Sequence, residues 1–398
     1  MRVLHVLHTS LPVVAGYTIR SRCILEHLGR LGCELAVVSS AQHPNGETLF
    51  EIVQGIPHFR TENPRRKLPS PAKELQSMWS LQAKLSSVVH QWKPDVIHAH
   101  SPMLVGLPAL QVARSKRIPL VYEVRDLWEN ASVDRGKFAA DSPFYRAAQL
   151  METAVFRRAQ AVVTICASLR DEIAPRVAGP LHVVDNGFEA SSFVPRAKNP
   201  EVMQRWGLND RRVIGYVGTF QPYEGLDLLI RAMPKVLQQV PNAHLLITGA
   251  GGVQSELERL SSELGMQQHV TFTGRVPHQD VFDLYAAADV LAYPRISTRT
   301  TRITTPLKPV EAMAMEKPVV VSDLPAMREL VRADETGLLF RHGDCDDLAR
   351  ALAELLGNPE RCERIGQQAR AHVLEARQWG RLVERYIPIY EQARASMQ

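Results

Sequence analysis

The sequence predicts an α/β protein made of two doubly wound, Rossmann-like domains that face a central cleft. The chain has 398 residues, which is more than one hydrophobic core usually holds. Short, wholly apolar runs alternate with helix-like segments, and this alternation is typical of parallel sheets covered by helices on both faces. The alternation occurs as two successive series, so two domains of the same kind are expected.

Six apolar runs in the N-terminal half predict strands, and the amphipathic stretches between them predict helices. The expected strands span 2–8, 34–40, 95–100, 119–124, 161–166 and 181–186. The expected helices lie near 18–31, 74–91, 103–116, 143–159 and 168–177. The segment 57–73 is rich in proline and basic residues, and it is expected to be an exposed loop.

The C-terminal half repeats the pattern. Its expected strands span 212–218, 244–251, 269–274, 289–294, 318–323 and 337–340, and its expected helices lie near 225–240, 253–264, 278–288, 309–316, 345–356 and 360–376. The polar, proline-bearing segment 188–200 is the expected join. We predict a first domain over 1–190, a second over 191–377, and a last helix within 378–398 that returns toward the first domain.

Charge and composition limit the classes of ligand. A net charge of +5 and a pI near 9.0 favour anionic ligands or an anionic membrane surface, and no motif that reads nucleic acid occurs. The five cysteines are dispersed without a CxxC pair, which is typical of reduced thiols in the cytoplasm. No stretch reaches the ~20 apolar residues that cross a bilayer. We expect a cytoplasmic protein whose contact with a membrane, if it has one, is peripheral and on the cytoplasmic face.

The loops beyond the carboxyl ends of the strands hold the candidate site residues, because ligands of doubly wound sheets bind there. The loop 8–21 follows the first strand. Its Gly16 allows a close backbone approach, and the helix that starts there would face an anion. A simple tight turn is the alternative for this glycine.

Two further loops of the first domain carry polar residues. His98 and His100 alternate along one strand, and we expect them to point to opposite faces, so that only His100 faces the cleft and no metal site forms. Arg125 and Asp126 directly follow an apolar strand, where buried and unpaired charge is costly, so a functional cleft would explain them. The alternatives are a buried, hydrogen-bonded histidine and a local ion pair between Arg125 and Asp126.

The densest group of charges precedes a predicted helix in the segment 295–323. The cations there are Arg295, Arg299, Arg302 and Lys308. The helix must begin between 305 and 309, because proline is tolerated only in the first turn. Free N–H groups and cations at this helix start suit a diphosphate, and Glu311 one turn later suits the hydroxyls of a ribose. The pattern predicts a nucleotide site, and the alternative is a glutamate that merely complements the helix dipole.

Glycines mark two loops of the second domain. Gly218 and Thr219 follow one strand, and Gly249 and Gly251 follow the next, so these loops could wrap a phosphate through backbone N–H groups. Ordinary turns also use such glycines. The acidic stretch 344–347 resembles a metal-binding DxD motif, but it stands where a helix begins and Asp is a common cap. Neither a metal nor a nicotinamide cofactor is expected.

Several motifs together resemble the C-terminal domain of family 4 retaining glycosyltransferases, which have the GT-B fold. They are GYVG with EGLDLLI, ITGAGG, VTFTGRVP, LYAAADVLAYP, EAMAMEKPVVVSD and TGLLF. VVDNGFEASSFVP is similar to the interdomain segment of the same family, so the resemblance extends over nearly the whole chain. YEGLDLL, YPR, TPLKPVEAMA and VRDLWE further resemble the branch associated with exosortase-linked exopolysaccharide clusters.

The resemblance implies roles for individual residues. Glu311 matches the second glutamate of the family's E-x7-E motif, which holds the donor ribose, whereas Ile303 stands where the first glutamate is usual. Thr219 and Glu224 stand where the family usually has an arginine and a lysine for the donor phosphates. We expect Lys308 and the neighbouring arginines to replace those cations.

The family implies transfer of a sugar from a nucleoside-diphosphate donor to an acceptor hydroxyl, with retention and without a metal or further cofactor, in exopolysaccharide or cell-surface glycan synthesis. The first domain would hold a glycan or lipid-linked acceptor, oriented by Arg125, Asp126 and His100, and the second would hold the donor. One alternative is another GT-B enzyme, such as a sugar phosphorylase or an epimerase. The other is a non-catalytic nucleotide-sugar-binding subunit of a polysaccharide assembly complex.

Overall fold

The computed structural model describes residues 1–13, 15–44, 48–63 and 68–397, with the backbone alone at residue 278. The chain divides into two compact units. The first unit comprises Met1–Asp185 and Trp379–Gln398, and the second comprises Asn186–Gln378. The first boundary therefore falls after Asp185 rather than at the expected 190.

The first unit is built on an eight-stranded sheet. Its strands are β1 (Arg2–Leu7), β2 (Glu34–Ser39), β3 (Phe50–Val53), β4 (Ile56–Arg60), β5 (Val96–His100), β6 (Leu120–Val124), β7 (Ala161–Thr164) and β8 (Leu181–Val183). Their order is β3-β4-β2-β1-β5-β6-β7-β8, and every neighbouring pair is parallel except β3 with β4. The segment 57–73 is therefore not a loop throughout, because residues 57–60 belong to β4, which pairs with β2 and β3. Residues 64–67 lie outside the described residues.

Helices cover both faces of this sheet. They are α1 (Gly16–Arg30), α2 (Ala72–Trp92), α3 (Met103–Lys116), α4 (Trp128–Asp134), α5 (Pro143–Phe156) and α6 (Ala167–Ile173). Connections between parallel strands are right-handed. Consequently α1, which leads from β1 back to β2, lies on one face, and α2, α3 and α5, which lead the other way, lie on the opposite face. On that face α3 packs along both α2 and α5.

The second unit contains a six-stranded, wholly parallel sheet. Its strands are β9 (Arg212–Val217), β10 (Ala243–Thr248), β11 (Val270–Gly274), β12 (Val290–Tyr293), β13 (Val319–Ser322) and β14 (Gly337–Phe340), in the order β11-β10-β9-β12-β13-β14. Its helices are α7 (Pro200–Arg205), α8 (Leu226–Gln239), α9 (Gln254–Glu263), α10 (His278–Ala287), α11 (Arg299–Ile303), α12 (Lys308–Ala314), α13 (Pro325–Arg328), α14 (Cys345–Leu356) and α15 (Pro359–Ala376).

Both units are doubly wound, Rossmann-like sheets, which confirms the predicted fold class. The strand order reverses between β1 and β5 in the first sheet and between β9 and β12 in the second. At such a switch point the helices on the two sides leave to opposite faces, and a crevice opens at the carboxyl ends of the strands. The two switch points are therefore where each unit can hold a ligand.

The last two helices, α16 (Trp379–Glu384) and α17 (Tyr386–Ala395), belong to the first unit. There α16 packs against α1, and α17 packs against β5 and β6. Among the described residues, no helix combines the length and the apolar composition that a membrane span needs.

Side-chain caps determine where several helices begin. Ser142 accepts the Tyr145 N–H ahead of Pro143 and so starts α5. Asp344 accepts the N–H groups of Asp346 and Asp347, each at 3.0 Å, and so starts α14. The prediction that the acidic stretch 344–347 begins a helix with an aspartate cap is therefore confirmed.

Gly106 of α3 lies directly against the ring of Tyr122 in the sheet beneath it. A Cβ added there would stand 2.6 Å from Cε2 of Tyr122. We predict that Gly106→Ala lowers the free energy of unfolding by about 1–3 kcal/mol, because the buried ring must move within a packed core. Gly29→Ala in α1 is the control, since its new Cβ would meet only Leu35 Cδ1, at 3.8 Å. Denaturant unfolding measures both, and equal losses would contradict this contact.

Candidate functional site

Lys308 lies at the switch point of the second sheet, where the site was expected. It is the first residue of α12, within the predicted range for that helix start. Its stem lies against the end of β9, because a Cβ added to Gly218 would stand 2.4 Å from Lys308 Cε. The Tyr293 hydroxyl, at the end of β12, donates to the Lys308 carbonyl at 3.2 Å. Lys308 is thus fixed between the two strands at which the order reverses.

Lys308 is an ion-paired cation and not an isolated one. Its Nζ lies 2.8 Å from Oε1 of Glu224 and donates to the Tyr216 hydroxyl at 2.7 Å. Burial lowers the pKa of Lys308, and the Glu224 carboxylate acts against that fall. An ammonium has three N–H bonds. In the part of the chain that the structure describes, no protein group takes the third, so it is available to a ligand.

Glu224 is buried and forms the other half of this ion pair. Burial pushes the pKa of its carboxyl upward, but Lys308 and Arg295 outweigh that effect, and the net pKa lies below the ordinary value. Its Oε2 has no hydrogen-bond partner among the described residues. The loop position where the family resemblance leads one to expect a lysine therefore carries the carboxylate that holds the lysine of α12.

Glu311 lies one turn after Lys308 on α12, as predicted. Its Oε2 accepts a hydrogen bond from the Tyr285 hydroxyl at 3.1 Å, and within the described residues no protein donor reaches Oε1. Burial raises the pKa of this carboxyl, while Tyr285 and Lys308 act in the opposite direction. One oxygen is held and the other is open, so the group can accept a hydrogen bond from a ligand hydroxyl.

The arginines predicted to bind phosphate lie in different environments. Arg295 is buried, donates to the Thr304 carbonyl at 3.0 Å, and places its guanidinium 5.6 Å from the centre of the Tyr223 ring. Arg299 and Arg302 are exposed on α11. Arg295 is therefore part of the framework around Lys308, whereas the charges of the other two lie at the surface.

Gly218, Gly249 and Gly251 stand where neighbouring atoms leave no room for a side chain. A Cβ on Gly249 would stand 1.9 Å from the Gly218 carbonyl oxygen, and one on Gly251 would stand 2.0 Å from the Phe220 carbonyl oxygen. Loop packing accounts for Gly249 and Gly251, and the stem of Lys308 accounts for Gly218. The contact of these glycines with a donor phosphate stays a prediction. Thr219 between the loops is exposed, and its carbonyl accepts a hydrogen bond from the Tyr216 hydroxyl at 3.0 Å.

A buried cluster of charged and aromatic side chains lies at the switch point of the first sheet. At its centre is Glu123 of β6, whose Oε1 accepts from Nε of Arg20 at 3.0 Å and from Nε of Arg125 at 2.8 Å. The Tyr386 hydroxyl of α17 donates to Oε2. Burial alone would raise the pKa of Glu123, but the two guanidinium groups hold it well below its ordinary value.

Arg125 and His100, both predicted to be catalytic, belong to this cluster. Arg125 Nη1 donates to the Tyr17 carbonyl at 2.6 Å and to Ser21 Oγ at 2.8 Å, and its Nη2 donates to Nδ1 of His100 at 2.7 Å. Its ion pair is made with Glu123 and not with Asp126. These contacts favour a positioning role, and direct contact of either residue with a substrate stays a prediction.

The prediction that His98 and His100 point to opposite faces is wrong. Side chains two positions apart on a strand share a face, and the two ring centroids are 4.1 Å apart. His5 of β1 joins them, with its ring centroid 4.9 Å from that of His98. The three buried histidines are the one group of potential metal ligands found in residues 1–13, 15–44, 48–63 and 68–397.

The hydrogen bonds of these histidines do not fit a metal ion. Arginine only donates, so Nδ1 of His100 accepts from Arg125 and its Nε2 carries the proton. That proton points at Nδ1 of His5, 3.0 Å away. Nδ1 of His98 is engaged by the Tyr390 hydroxyl at 2.7 Å. Hydrogen bonds within the protein thus occupy most of the nitrogen lone pairs that a metal would need. A metal ion would also add positive charge where Arg20 and Arg125 already share one carboxylate, that of Glu123.

Asp126 is the residue of this region that remains open to a ligand. It is half-buried, and within the described parts of the chain it makes no hydrogen bond or ion pair. Burial raises its pKa, while Arg135 and Arg125 act in the opposite direction. Gly16 is exposed at the first position of α1, and the Thr18 side chain bonds both backbone groups of the preceding Ala15. A role for Gly16 in binding an anion stays a prediction.

Several residues of both sites were missed by the sequence analysis. They are Arg20, Glu123, Tyr216, Tyr285, Tyr386 and Tyr390. One signal was available, because the apolar run PLVYEV contains Glu123, and a carboxylate in a buried strand needs a cationic partner. The tyrosines give no such signal, since tyrosine is ordinary in strands and helices alike.

Two family models match the chain. The model described as "Glycosyl transferase 4-like domain" matches residues 15–187, and the one described as "Glycosyl transferases group 1" matches residues 198–372.

Among curated relatives, a GDP-mannose-dependent alpha-(1-6)-phosphatidylinositol monomannoside mannosyltransferase of Mycolicibacterium smegmatis is 32% identical over 48% of this chain and 51% of that one. That match thus spans about half of the relative. A GDP-mannose-dependent alpha-mannosyltransferase of the same organism is 27% identical over 98% of this chain and 97% of that one.

Solved glycosyltransferase structures share the fold. A sucrose-phosphate synthase from Thermosynechococcus elongatus is similar over 100% of both chains, with a TM-score of 0.81 and 21% identity. Anabaena HepE in complex with UDP is similar over 98% of this chain and 100% of that one, with a TM-score of 0.76 and 19% identity. At such identities the likeness establishes the fold alone, and that fold is GT-B.

Removal of the central carboxylate is the first test of the buried cluster. We predict that Glu123→Gln lowers the free energy of unfolding by about 3–5 kcal/mol, because it leaves two buried guanidinium groups without their counter-ion. Glu26→Gln is the control, since Glu26 forms a pair with Arg30 that is exposed on both sides, and such pairs contribute about 0–1 kcal/mol. Denaturant titration measures both variants, and similar losses would show that Glu123 is not the buried centre.

Acid should destabilise the protein through the buried histidines. Burial lowers the pKa of His5 and His98 well below the usual value and that of His100 to about 3. Histidines in the unfolded chain have a pKa of about 6.5. Below that pH the unfolded chain therefore binds more protons than the folded one. Their contribution is therefore complete above that pH and is lost on acidification, by about 1.4 kcal/mol per pH unit for each histidine.

The pH dependence of the free energy of unfolding tests the contribution of His100 separately. Between about pH 6 and 5, His100→Asn should show a slope smaller by about 1.4 kcal/mol per pH unit than the wild type. His90→Asn, at an exposed position of α2, serves as the control and should keep the wild-type slope. An unchanged slope in His100→Asn would mean that this histidine is not held neutral.

Proposed function

Because its two halves belong to the glycosyltransferase 4-like and glycosyltransferase group 1 families, the chain is a glycosyltransferase, and we propose that it moves a sugar from a nucleoside-diphosphate donor to an acceptor hydroxyl with retention. The donor class is supported by the GDP-mannose dependence named for two relatives and by the UDP complex of HepE.

The arrangement of Lys308 and Glu311 on one turn of α12 carries this proposal. Lys308 offers one free N–H at the switch point of the sheet, and Glu311 offers one open oxygen. The ammonium suits a phosphate oxygen, and the carboxylate suits ribose hydroxyls. Arg295 adds positive charge beside the pair. The backbone of the loops at Gly218, Thr219, Gly249 and Gly251 would complete the donor site.

The proposed reaction breaks the bond between the anomeric carbon and the diphosphate oxygen. A bond from the acceptor oxygen to the same carbon forms on the same face, through a transition state that resembles an oxocarbenium ion. The acceptor proton passes to the departing diphosphate. Negative charge grows on that diphosphate, so a fixed ammonium lowers the barrier. Glu224 keeps Lys308 charged and in place despite its burial. These protein cations would supply the charge compensation without a metal ion.

The first unit would bind the acceptor. Asp126 has an unpaired carboxylate at the carboxyl end of β6, so it can accept a hydrogen bond from the reacting hydroxyl. Arg125 and His100 act behind it, where they hold the loop through Glu123 and Tyr17.

The cellular role we propose is exopolysaccharide or cell-surface glycan synthesis on a glycan or lipid-linked acceptor. Support comes from the motifs that resemble the exosortase-associated branch. It also comes from the phosphatidylinositol monomannoside acceptor named for one relative.

Nucleotide binding and turnover test this function directly. Thermal unfolding with UDP, GDP, ADP and their sugars should show a rise in melting temperature with one base, because a ligand of the folded state stabilises it. Turnover of that donor should continue in EDTA.

Two variants test the donor site. Lys308→Met and Glu311→Gln should each lower kcat/KM by at least ~10-fold, the effect of losing one charge-assisted contact. Lys235→Met is the control, since Lys235 forms an exposed pair with Asp346 and should keep wild-type kinetics.

The outcomes separate the alternatives. Wild-type kinetics in both variants would show that the donor site does not include Lys308 and Glu311. Tight nucleotide binding without turnover in the wild type would favour a non-catalytic binding subunit, the alternative that Ile303, Thr219 and Glu224 motivate.

A further inference from the structure

We propose that one face of the first unit docks on an anionic lipid bilayer and so meets a lipid-linked acceptor. This α2–α5 face consists of the outward sides of α2 and α5 and the start of α4. The docking follows from the surface itself, and the acceptor class that it implies rests on the proposed function.

The α2–α5 face exposes four large apolar side chains. Leu75 and Trp79 lie one turn apart on α2 and are 45% and 69% exposed, and Phe144 and Leu150 on α5 are 58% and 70% exposed. A single exposed apolar residue is ordinary. Four in one helical layer, on two helices that both pack along α3, are typical of an interaction surface.

One apolar cluster joins the two exposed pairs. Met103, Leu104 and Ala148 are buried together, and Met78, Trp128 and Met151 pack against them. Met78 precedes Trp79, and Met151 follows Leu150, so both exposed pairs flank this cluster. Glu152 of α5 accepts hydrogen bonds from the Met103 N–H at 2.9 Å and the Tyr122 hydroxyl at 2.6 Å, which ties α5 to α3. The face is therefore held together by fixed helices.

The charges on and beside this face are mainly positive. The exposed cations there are Lys73, Arg135, Lys137 and Arg146. The acids are mostly withdrawn from the surface: Glu129 and Glu152 are buried, Glu74 and Asp134 are half-buried, and Asp141 is exposed. Tryptophan and leucine bordered by lysine and arginine are typical of helices that lie in a membrane interface. Positive charge favours an anionic bilayer over a neutral one.

The position of Trp128 relates this face to the acceptor. Trp128 packs against the apolar cluster and follows Asp126 by two residues. A bilayer that covers the α2–α5 face would therefore hold lipid headgroups close to the loop that we assign to the acceptor hydroxyl. An acceptor anchored in that bilayer would reach the loop by movement within the membrane plane.

Vesicle binding tests the docking. Wild-type protein should cosediment with vesicles of phosphatidylcholine that contain about a third phosphatidylglycerol, and high salt should weaken the binding. The double variant Trp79→Ser, Leu150→Ser should bind at least ~10-fold more weakly, because it removes two side chains that would enter the interface. The control Leu31→Ser removes an apolar side chain that is 43% exposed beside α1, on the opposite face of the sheet.

The outcomes are distinguishable from failure of the proposed function. Absence of wild-type vesicle binding, or equal binding by the double variant, would overturn the docking. So would sedimentation that shows a wild-type dimer and a monomeric variant, since a second copy would then cover the face. Nucleotide-induced thermal stabilisation of the double variant reports the donor site separately. Vesicle binding without any transfer would refute the proposed function and leave the docking intact.

Discussion

The buried ion pair between Lys308 and Glu224 is the constraint on which the donor site depends. It fixes the first residue of α12 against the end of β9, and it holds one N–H of the ammonium where a ligand can reach it. A lysine in this position without a carboxylate would tend to lose its proton, because burial lowers its pKa. The glutamate therefore keeps a useful charge in a place where charge is costly.

The first unit uses the same physical device with the signs exchanged. There a buried carboxylate, Glu123, holds two guanidinium groups, and α17 contributes the Tyr386 hydroxyl to the same carboxylate. Both devices lie at the switch point of their sheet. In each, the charged groups are already oriented before a substrate arrives. Such preorganisation is what electrostatic catalysis requires, since no free energy is then spent on turning dipoles during the reaction.

The sequence predicted the fold because apolar periodicity is a local signal. It also predicted the start of α12 and the spacing of Lys308 and Glu311, since Pro309 and one helical turn determine them. The partners of Lys308 could not be predicted in the same way, because Tyr216 lies 92 positions away along the chain. Strand geometry alone places His98 and His100 on the same face of the sheet, so the prediction of opposite faces was an avoidable error. The antiparallel pairing of β3 with β4 was missed because prolines in the segment suggested a loop.

The measurement that tests the donor site most directly is a crystal structure with the nucleoside diphosphate that stabilises the protein. A phosphate oxygen should lie within hydrogen-bond distance of Lys308 Nζ while Glu224 keeps its place, and the ribose hydroxyls should meet Glu311. A diphosphate bound away from α12, or one that binds only after Lys308 has left Glu224, would contradict the role given to this ion pair.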